Sequence, residues 1–247
     1  MVVESKKYVN KFKKNGFVHF QEFFNKDLCN QTRREVINFL DNFRNDNSIL
    51  SNSDFEFINN KKRIKYCQSV FEANLSVRKF LTSELANTAA ELLEVKSVYL
   101  AGVEIHIRNS GGGIIPIHQD NVSFCLKNAK ALTAYIVLDE QDENTGGLGY
   151  LPTESGGFMF DHSLTNIPAF SAEVNFREEK EKKFIFPSFK IGDVSFHHCQ
   201  TPHRAFPRPT GLENSYALSP RFFAVDDQMD EKRFKIYKEN LLKHRKK

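Results

Sequence analysis

The feature that most constrains this chain is a change of hydrophobic period near Lys96. Upstream of it, apolar positions recur at helical spacing. Leu28, Thr32, Val36, Phe39, Leu40 and Phe43 follow Asn25, a residue type suited to cap a helix, and Leu81, Leu85, Ala89, Leu92 and Leu93 mark a second helix across 78–94. Downstream the period falls to two. In residues 97–108, Val103, Ile105 and Ile107 share one face and Glu104, His106 and Arg108 the other. Short runs of the same kind follow, IIPIHQDNVSFC, ALTAYIVLDE, LGYLP, KFIFPSF, DVSFHHC and SYALSPRFFAV, divided by turn-forming stretches such as NSGGG and DENTGG. GFVHF at 16–20 reads as one more strand, the Asn/Ser-rich 45–60 as a loop, 154–183 as an irregular connection, and 231–245 as a basic amphipathic helix. Two helices followed by roughly eight short strands predict a mainly β, α+β fold of jelly-roll type, with N-terminal helices packed on it.

A length of 247 residues suits one β-rich domain, so 1–247 is read as a single unit with its core over about 16–225. The net charge of +4 comes from 35 basic and 31 acidic residues, and much of the excess sits in MVVESKKYVNKFKK and KHRKK at the two ends. That is too weak a stripe for a nucleic-acid binder, so solvated termini explain the lysines. Cys29, Cys67, Cys125 and Cys199 lie far apart with no C-x-x-C pair, which fits reduced thiols rather than a disulfide framework or zinc knuckle. No apolar run approaches the ~18 residues of a membrane span, and a cytoplasmic protein is expected. Nothing in the pattern speaks to oligomeric state.

Polar residues on alternate strand positions need an explanation, because a small barrel normally fills its interior with apolar side chains. Solvent exposure of that face is one. A ligand site is the other. His118-Gln119-Asp120 is an H-x-D element whose spacing on a strand directs imidazole and carboxylate to one side. With a second histidine downstream, it would complete a two-histidine, one-carboxylate site that leaves coordination positions open on Fe(II). His203 is the natural candidate, and His197 and His198 are its competitors.

The segments IHQDNVSFC through ALTAYIVLDEQDENTGGLGYLPTES, then FKIGDVSFHHCQTPH and SYALSPRFFAV, resemble the phytanoyl-CoA dioxygenase family, and GFVHFQEFFNKDLCNQTRREVINFL is similar to its N-terminal strand and helix. The resemblance spans about 16–225. It implies a double-stranded β-helix, a cupin-like jelly roll, and an oxidoreductase that uses Fe(II), 2-oxoglutarate and O₂, hydroxylating a small-molecule or lipid-like substrate with release of succinate and CO₂. It also implies His118, Asp120 and His203 as iron ligands, with Asp193 ten positions before His203 favouring that histidine over its neighbours. A carboxylate at 120 argues for hydroxylation, because halogenating relatives carry a small residue there.

The resemblance departs from its usual pattern at the cation for the far carboxylate of 2-oxoglutarate. Many relatives carry an arginine where this chain has Ser215; Arg221 lies six residues on, and is expected to serve instead, ahead of Arg208 or Arg204. An arginine suits the task because its planar fork makes paired charge-assisted hydrogen bonds. Tyr135 and Thr133 match positions near the co-substrate, Arg108 matches a basic position that could touch co-substrate or an anionic substrate or simply form a salt bridge, and Ala205 replaces a small hydroxyl residue common in relatives. The rival reading is a non-catalytic β-helix that keeps a metal site for structure or sensing. Neither substrate identity nor the choice among hydroxylation, desaturation and ring closure is readable.

Overall fold

The computed structural model describes residues 2–42, 53–68, 78–155, 157–167, 169–175 and 183–245. Its central feature is strand β4 (Val98–Arg108), whose alternation has the expected effect: Val103, Ile105 and Ile107 enter the main hydrophobic core, while Glu104 and His106 face a cavity on the opposite side. Around it lies a seven-stranded sheet in the order β1 (Phe17–Phe20), β10 (Val194–His198), β6 (Ala131–Val137), β12 (Ser215–Ala224), β4, β3 (Lys61–Gln68), β2 (Ser53–Ile58). The pairings within this sheet are antiparallel. A second sheet, β5 (Ile115–His118), β11 (His203–Ala205), β7 (Leu148–Tyr150), closes the other wall, and β8 (His162–Leu164) pairs with β9 (Ala172–Val174).

The outer face of the large sheet is covered by helices α1 (Val2–Asn15), α2 (Lys26–Asn42) and α3 (Ser83–Leu93). Phe12, Val36, Phe39, Leu40, Leu85, Ala89 and Leu92 pack there against Val103, Ile105, Leu132, Ile136, Phe196 and Leu218. Burying each such side chain contributes about 1.5–3 kcal/mol, which makes this layer the main source of stability. Asn25 caps α2 through its side-chain oxygen, which accepts from the Asp27 and Leu28 amides at 2.8 and 3.3 Å. Thr82 caps α3 in the same way, accepting from the Leu85 amide at 3.2 Å. The four cysteines are free and buried, and no described helix is long and apolar enough to cross a membrane.

Several expectations give way. Residues 53–58 are strand, not loop: Asn59 and Asn60 take φ of 49° and 62°, the doubly left-handed turn that joins hairpin strands with the right twist, and it pairs β2 with β3. The 154–183 connection contains the β8–β9 hairpin. KFIFPSF forms no strand, since Pro187 cannot donate to a ladder, and only isolated bridges tie Ile185 to Tyr150 and Phe189 to Gln141. The basic N-terminal segment is helix α1, pinned by Phe12, which is fully buried. Residues 43–52 and 176–182 lie outside the described residues, including the expected helical position Phe43.

Candidate metal centre

Strand pairing between the two short strands creates the site. His203 opens β11 and stands opposite His118, the last residue of β5, so two imidazoles lie side by side with ring centroids 4.1 Å apart. Asp120 does not continue the strand, as the H-x-D spacing alone suggests. It precedes the short helix α4 (Asn121–Phe124) in helical geometry, and its side chain makes no cap hydrogen bond there, which leaves the carboxylate turned to the histidines. Asp120 Oδ1 lies 3.8 Å from His118 Nε2 and 3.7 Å from His203 Nε2. Ligating atoms of the three residues fall within 4.8 Å of one another. The intervening Gln119 turns away from the metal site. Its amide nitrogen donates to the carbonyls of Phe158, at 3.1 Å, and Gln200, and its oxygen accepts from the Phe160 amide at 2.8 Å, which ties the connection after β7 to the ligand loop.

Second partners set the tautomers. His118 Nδ1 lies 2.9 Å from the Pro116 carbonyl and His203 Nδ1 3.0 Å from that of Thr201. A carbonyl oxygen only accepts, so each Nδ1 carries the hydrogen and each Nε2 presents a lone pair towards Asp120. Burial pushes the His118 imidazole down and the His203 imidazole well down, so both are neutral at neutral pH. Burial alone would raise Asp120, but His203, His197 and His118 around it outweigh that, and its carboxyl is held well below the usual carboxylate range. Two neutral imidazole nitrogens and one carboxylate, all deprotonated, are the donor set a divalent first-row metal takes. The other carboxylate oxygen, Oδ2, accepts from Thr133 Oγ1 at 2.7 Å and lies 3.3 Å from His197 Nε2.

The large sheet supplies the rest of the wall. Its register sets His197, Thr133, Arg221 and Gly102 opposite one another on β10, β6, β12 and β4. Gly102 makes room for the guanidinium, because a Cβ there would come 2.9 Å from Arg221 Nη2. Arg221 Nη2 also lies 2.7 Å from Glu104 Oε1, an ion pair that is close but poorly aligned, since neither Glu104 Oε1 nor Arg221 Nε has a well-directed hydrogen-bond partner. Burial would lower Arg221, but Glu104 reverses the shift and raises it, so the cation is secure. These groups open on a cavity of about 510 Å³ lined also by Tyr66, His106, Tyr135, Leu148, Phe124 and Phe170.

The remaining sequence candidates are placed differently. Tyr135 reaches the cavity, but its hydroxyl donates to Gln141 Oε1 at 2.9 Å, and burial raises it to about 12. Arg108 does not line the cavity. Its guanidinium donates to the carbonyls of Gly146 at 3.2 Å, Gly113 at 3.0 Å and Phe206, so it fastens three loops, a structural role made through backbone acceptors rather than a salt bridge. Arg208 likewise donates to the carbonyls of Glu213 and Thr145, both at 2.7 Å, and Arg204 lies over the Phe206 ring at 4.6 Å. Among the described cavity-lining residues Arg221 is the sole arginine. The pairing of Arg221 with Glu104 escaped the sequence reading, although β4 alternation already set Glu104 on the polar face.

A model of the phytanoyl-CoA dioxygenase (PhyH) family matches residues 12–211. The chain belongs to the phytanoyl-CoA dioxygenase family. As a PhyH protein it is a non-haem, 2-oxoglutarate-dependent oxygenase, with iron and 2-oxoglutarate as its cofactors. Solved structures agree on the fold. The epimerase SnoN, in complex with Fe³⁺, alpha-ketoglutarate and nogalamycin RO, superposes with a TM-score of 0.74 at 16% identity, covering 93% of this chain and 87% of that one. AviO1 from Streptomyces viridochromogenes Tue57 gives 0.72 at 13% identity, covering 91% and 96%. EctD from S. alaskensis with 2-oxoglutarate and 5-hydroxyectoine gives 0.71 at 16%, covering 91% and 77%. Among curated proteins none matches by sequence.

Proposed function

We propose that this PhyH-family enzyme hydroxylates a small-molecule substrate, with Fe(II) held by His118, Asp120 and His203 and the far carboxylate of 2-oxoglutarate held by Arg221. The observation that carries this reading is the convergence of the three ligating groups within 4.8 Å in a cavity that also holds Arg221. When bound, iron and 2-oxoglutarate supply the oxidising power, consuming O₂ and releasing CO₂ and succinate.

The chain's own residues do the rest. The Pro116 and Thr201 carbonyls fix the imidazole tautomers so that both Nε2 lone pairs face the site. Thr133 holds Asp120 Oδ2, leaving Oδ1 as the oxygen nearest both histidines. Gly102 leaves room for the Arg221 fork and Glu104 pairs with it, and the fork would make the charge-assisted bonds that orient a dicarboxylate. Leu148, Ile115 and Phe170 line the wall and limit water near the reacting centre. Halogenating relatives carry a small residue at this position, so the carboxylate of Asp120 supports hydroxylation over halogenation.

The test is anaerobic titration of the metal-free protein with Fe(II) and 2-oxoglutarate, following the visible charge-transfer band of the chelated complex. The band is expected in the wild type, lost in His118→Ala, and shifted to much higher 2-oxoglutarate in Arg221→Ala. Iron binding with no band at any 2-oxoglutarate concentration would sink the reading and favour a non-catalytic metal site. A band unchanged in Arg221→Ala would remove only the anchor assignment.

A further inference from the structure

The C-terminal helix α5 (Glu231–Arg245) has a face that the metal centre leaves unexplained. Along it, Phe234, Tyr237 and Leu241 are partly buried while their neighbours are exposed. Spacings of three and four put these three residues on one side of the helix. A surface helix retained for stability buries such a stripe in the core. Here none of the three belongs to a described hydrophobic core cluster, and all three line the metal cavity. We propose that α5 is the substrate-reading wall of that cavity, and that Phe234, Tyr237 and Leu241 bind the apolar ring or chain body of a small-molecule substrate.

Two further observations support the assignment. Phe170 from the β8–β9 connection and Phe124 from α4 line the same cavity and add aromatic surface to it, and two of its charged groups, Glu104 and Arg221, already pair with each other. The helix is also registered to the iron ligands. The Asp230 amide donates to the Cys125 carbonyl at 2.7 Å, Met229 bridges Leu126, and Arg233 Nη1 donates to the Leu126 carbonyl at 3.4 Å. Cys125 and Leu126 directly follow the short helix that Asp120 begins, so wall and ligand share one local unit. Tyr237 and Ser171 join through their hydroxyls, closing the helix onto the opposite connection.

The proposal rests on the oxygenase reading only for what happens to the bound molecule, and its test needs no turnover. The neutral planar dye Nile red is titrated into the metal-free full chain and its emission followed. Saturable binding is expected, weakened about tenfold or more in Phe234→Ala and in Leu241→Glu, as removing or charging a buried apolar contact should do. Leu242→Glu, one residue away and 60% exposed, is expected to bind the dye like wild type. Thermal melts and Fe(II) titration of each variant check that fold and metal site persist. No saturable binding, equal affinity in Leu241→Glu, or the same loss in Leu242→Glu would overturn the proposal. If the 2-oxoglutarate band fails while the dye pattern holds, the oxygenase chemistry falls and α5 stands as the wall of a ligand cavity.

Discussion

Glu104 and Arg221 meet at 2.7 Å on neighbouring strands, so the guanidinium proposed to receive a carboxylate from 2-oxoglutarate already faces one from its own chain. The arriving co-substrate must share that cation with Glu104. Glu104→Gln removes the like charge and keeps the side-chain shape. It is expected to tighten 2-oxoglutarate binding about threefold or more, because a like charge beside an anion site opposes a second anion. The same variant should lower the melting temperature of the ligand-free protein, since Arg221 loses its counter-charge. Titration of the charge-transfer band reads the first effect and a thermal melt the second. Weaker 2-oxoglutarate binding would show instead that Glu104 holds the fork in position.

Gly102 tests the same relationship from the other side. A methyl group at this position meets Arg221 Nη2 at 2.9 Å, and the atom it meets is the end of a flexible side chain, so the fold should survive. Gly102→Ala is therefore expected to displace the guanidinium. The outcome to look for is a severalfold weaker 2-oxoglutarate affinity with unchanged Fe(II) affinity. Unchanged affinity for both would place the anchor elsewhere.

Thr133 acts one step back from the metal. Its hydroxyl donates to Asp120 Oδ2 at 2.7 Å, and outer partners of this kind typically matter by about 10–100-fold in metal affinity. Thr133→Val keeps the branched shape and removes the donor. Fe(II) binding by the metal-free protein should weaken within that range, and Thr133→Ser should restore it. A serine variant as weak as the valine one would point to packing rather than the hydrogen bond.

The legible part of this architecture was the part written in periodicity and local chemistry. Alternation in β4 correctly divided Val103, Ile105 and Ile107 from Glu104 and His106, because one face of the strand must enter a core and the other cannot. The H-x-D element and the distal histidine were visible as residue types, but the cross-strand pairing that makes His118 and His203 neighbours depends on contacts far apart in sequence. The fastening role of Arg108 could not be read for the same reason: its three acceptors are the backbone carbonyls of residues 113, 146 and 206, and carbonyls carry no sequence signature. The β2–β3 hairpin was hidden because Asn-Asn within a polar stretch reads as loop, although both residues sit at the turn that joins the strands. The lining contributed by α5 could not be read at all, since its stripe of three apolar residues faces a cavity instead of completing a core.

The last expectation concerns acid stability. His198 is buried, and burial lowers its imidazole to about 4, with His197 adding to the shift. The Gln200 amide donates to His198 Nδ1 at 3.2 Å, a bond that only the neutral ring accepts. The folded value lies below the unfolded one, so the unfolded chain takes up the proton first. The stabilising effect of keeping this ring neutral is therefore intact above about pH 6.5 and is lost as the pH falls towards 4. A difference of that size corresponds to about 3 kcal/mol. Denaturant unfolding of the metal-free protein should show a plateau above pH 6.5 and a decline below it. His198→Gln, which keeps an acceptor without the titrating ring, should flatten part of that decline. A wild-type profile that is level from pH 7 to about 4.5 would show that His198 does not titrate as its burial requires.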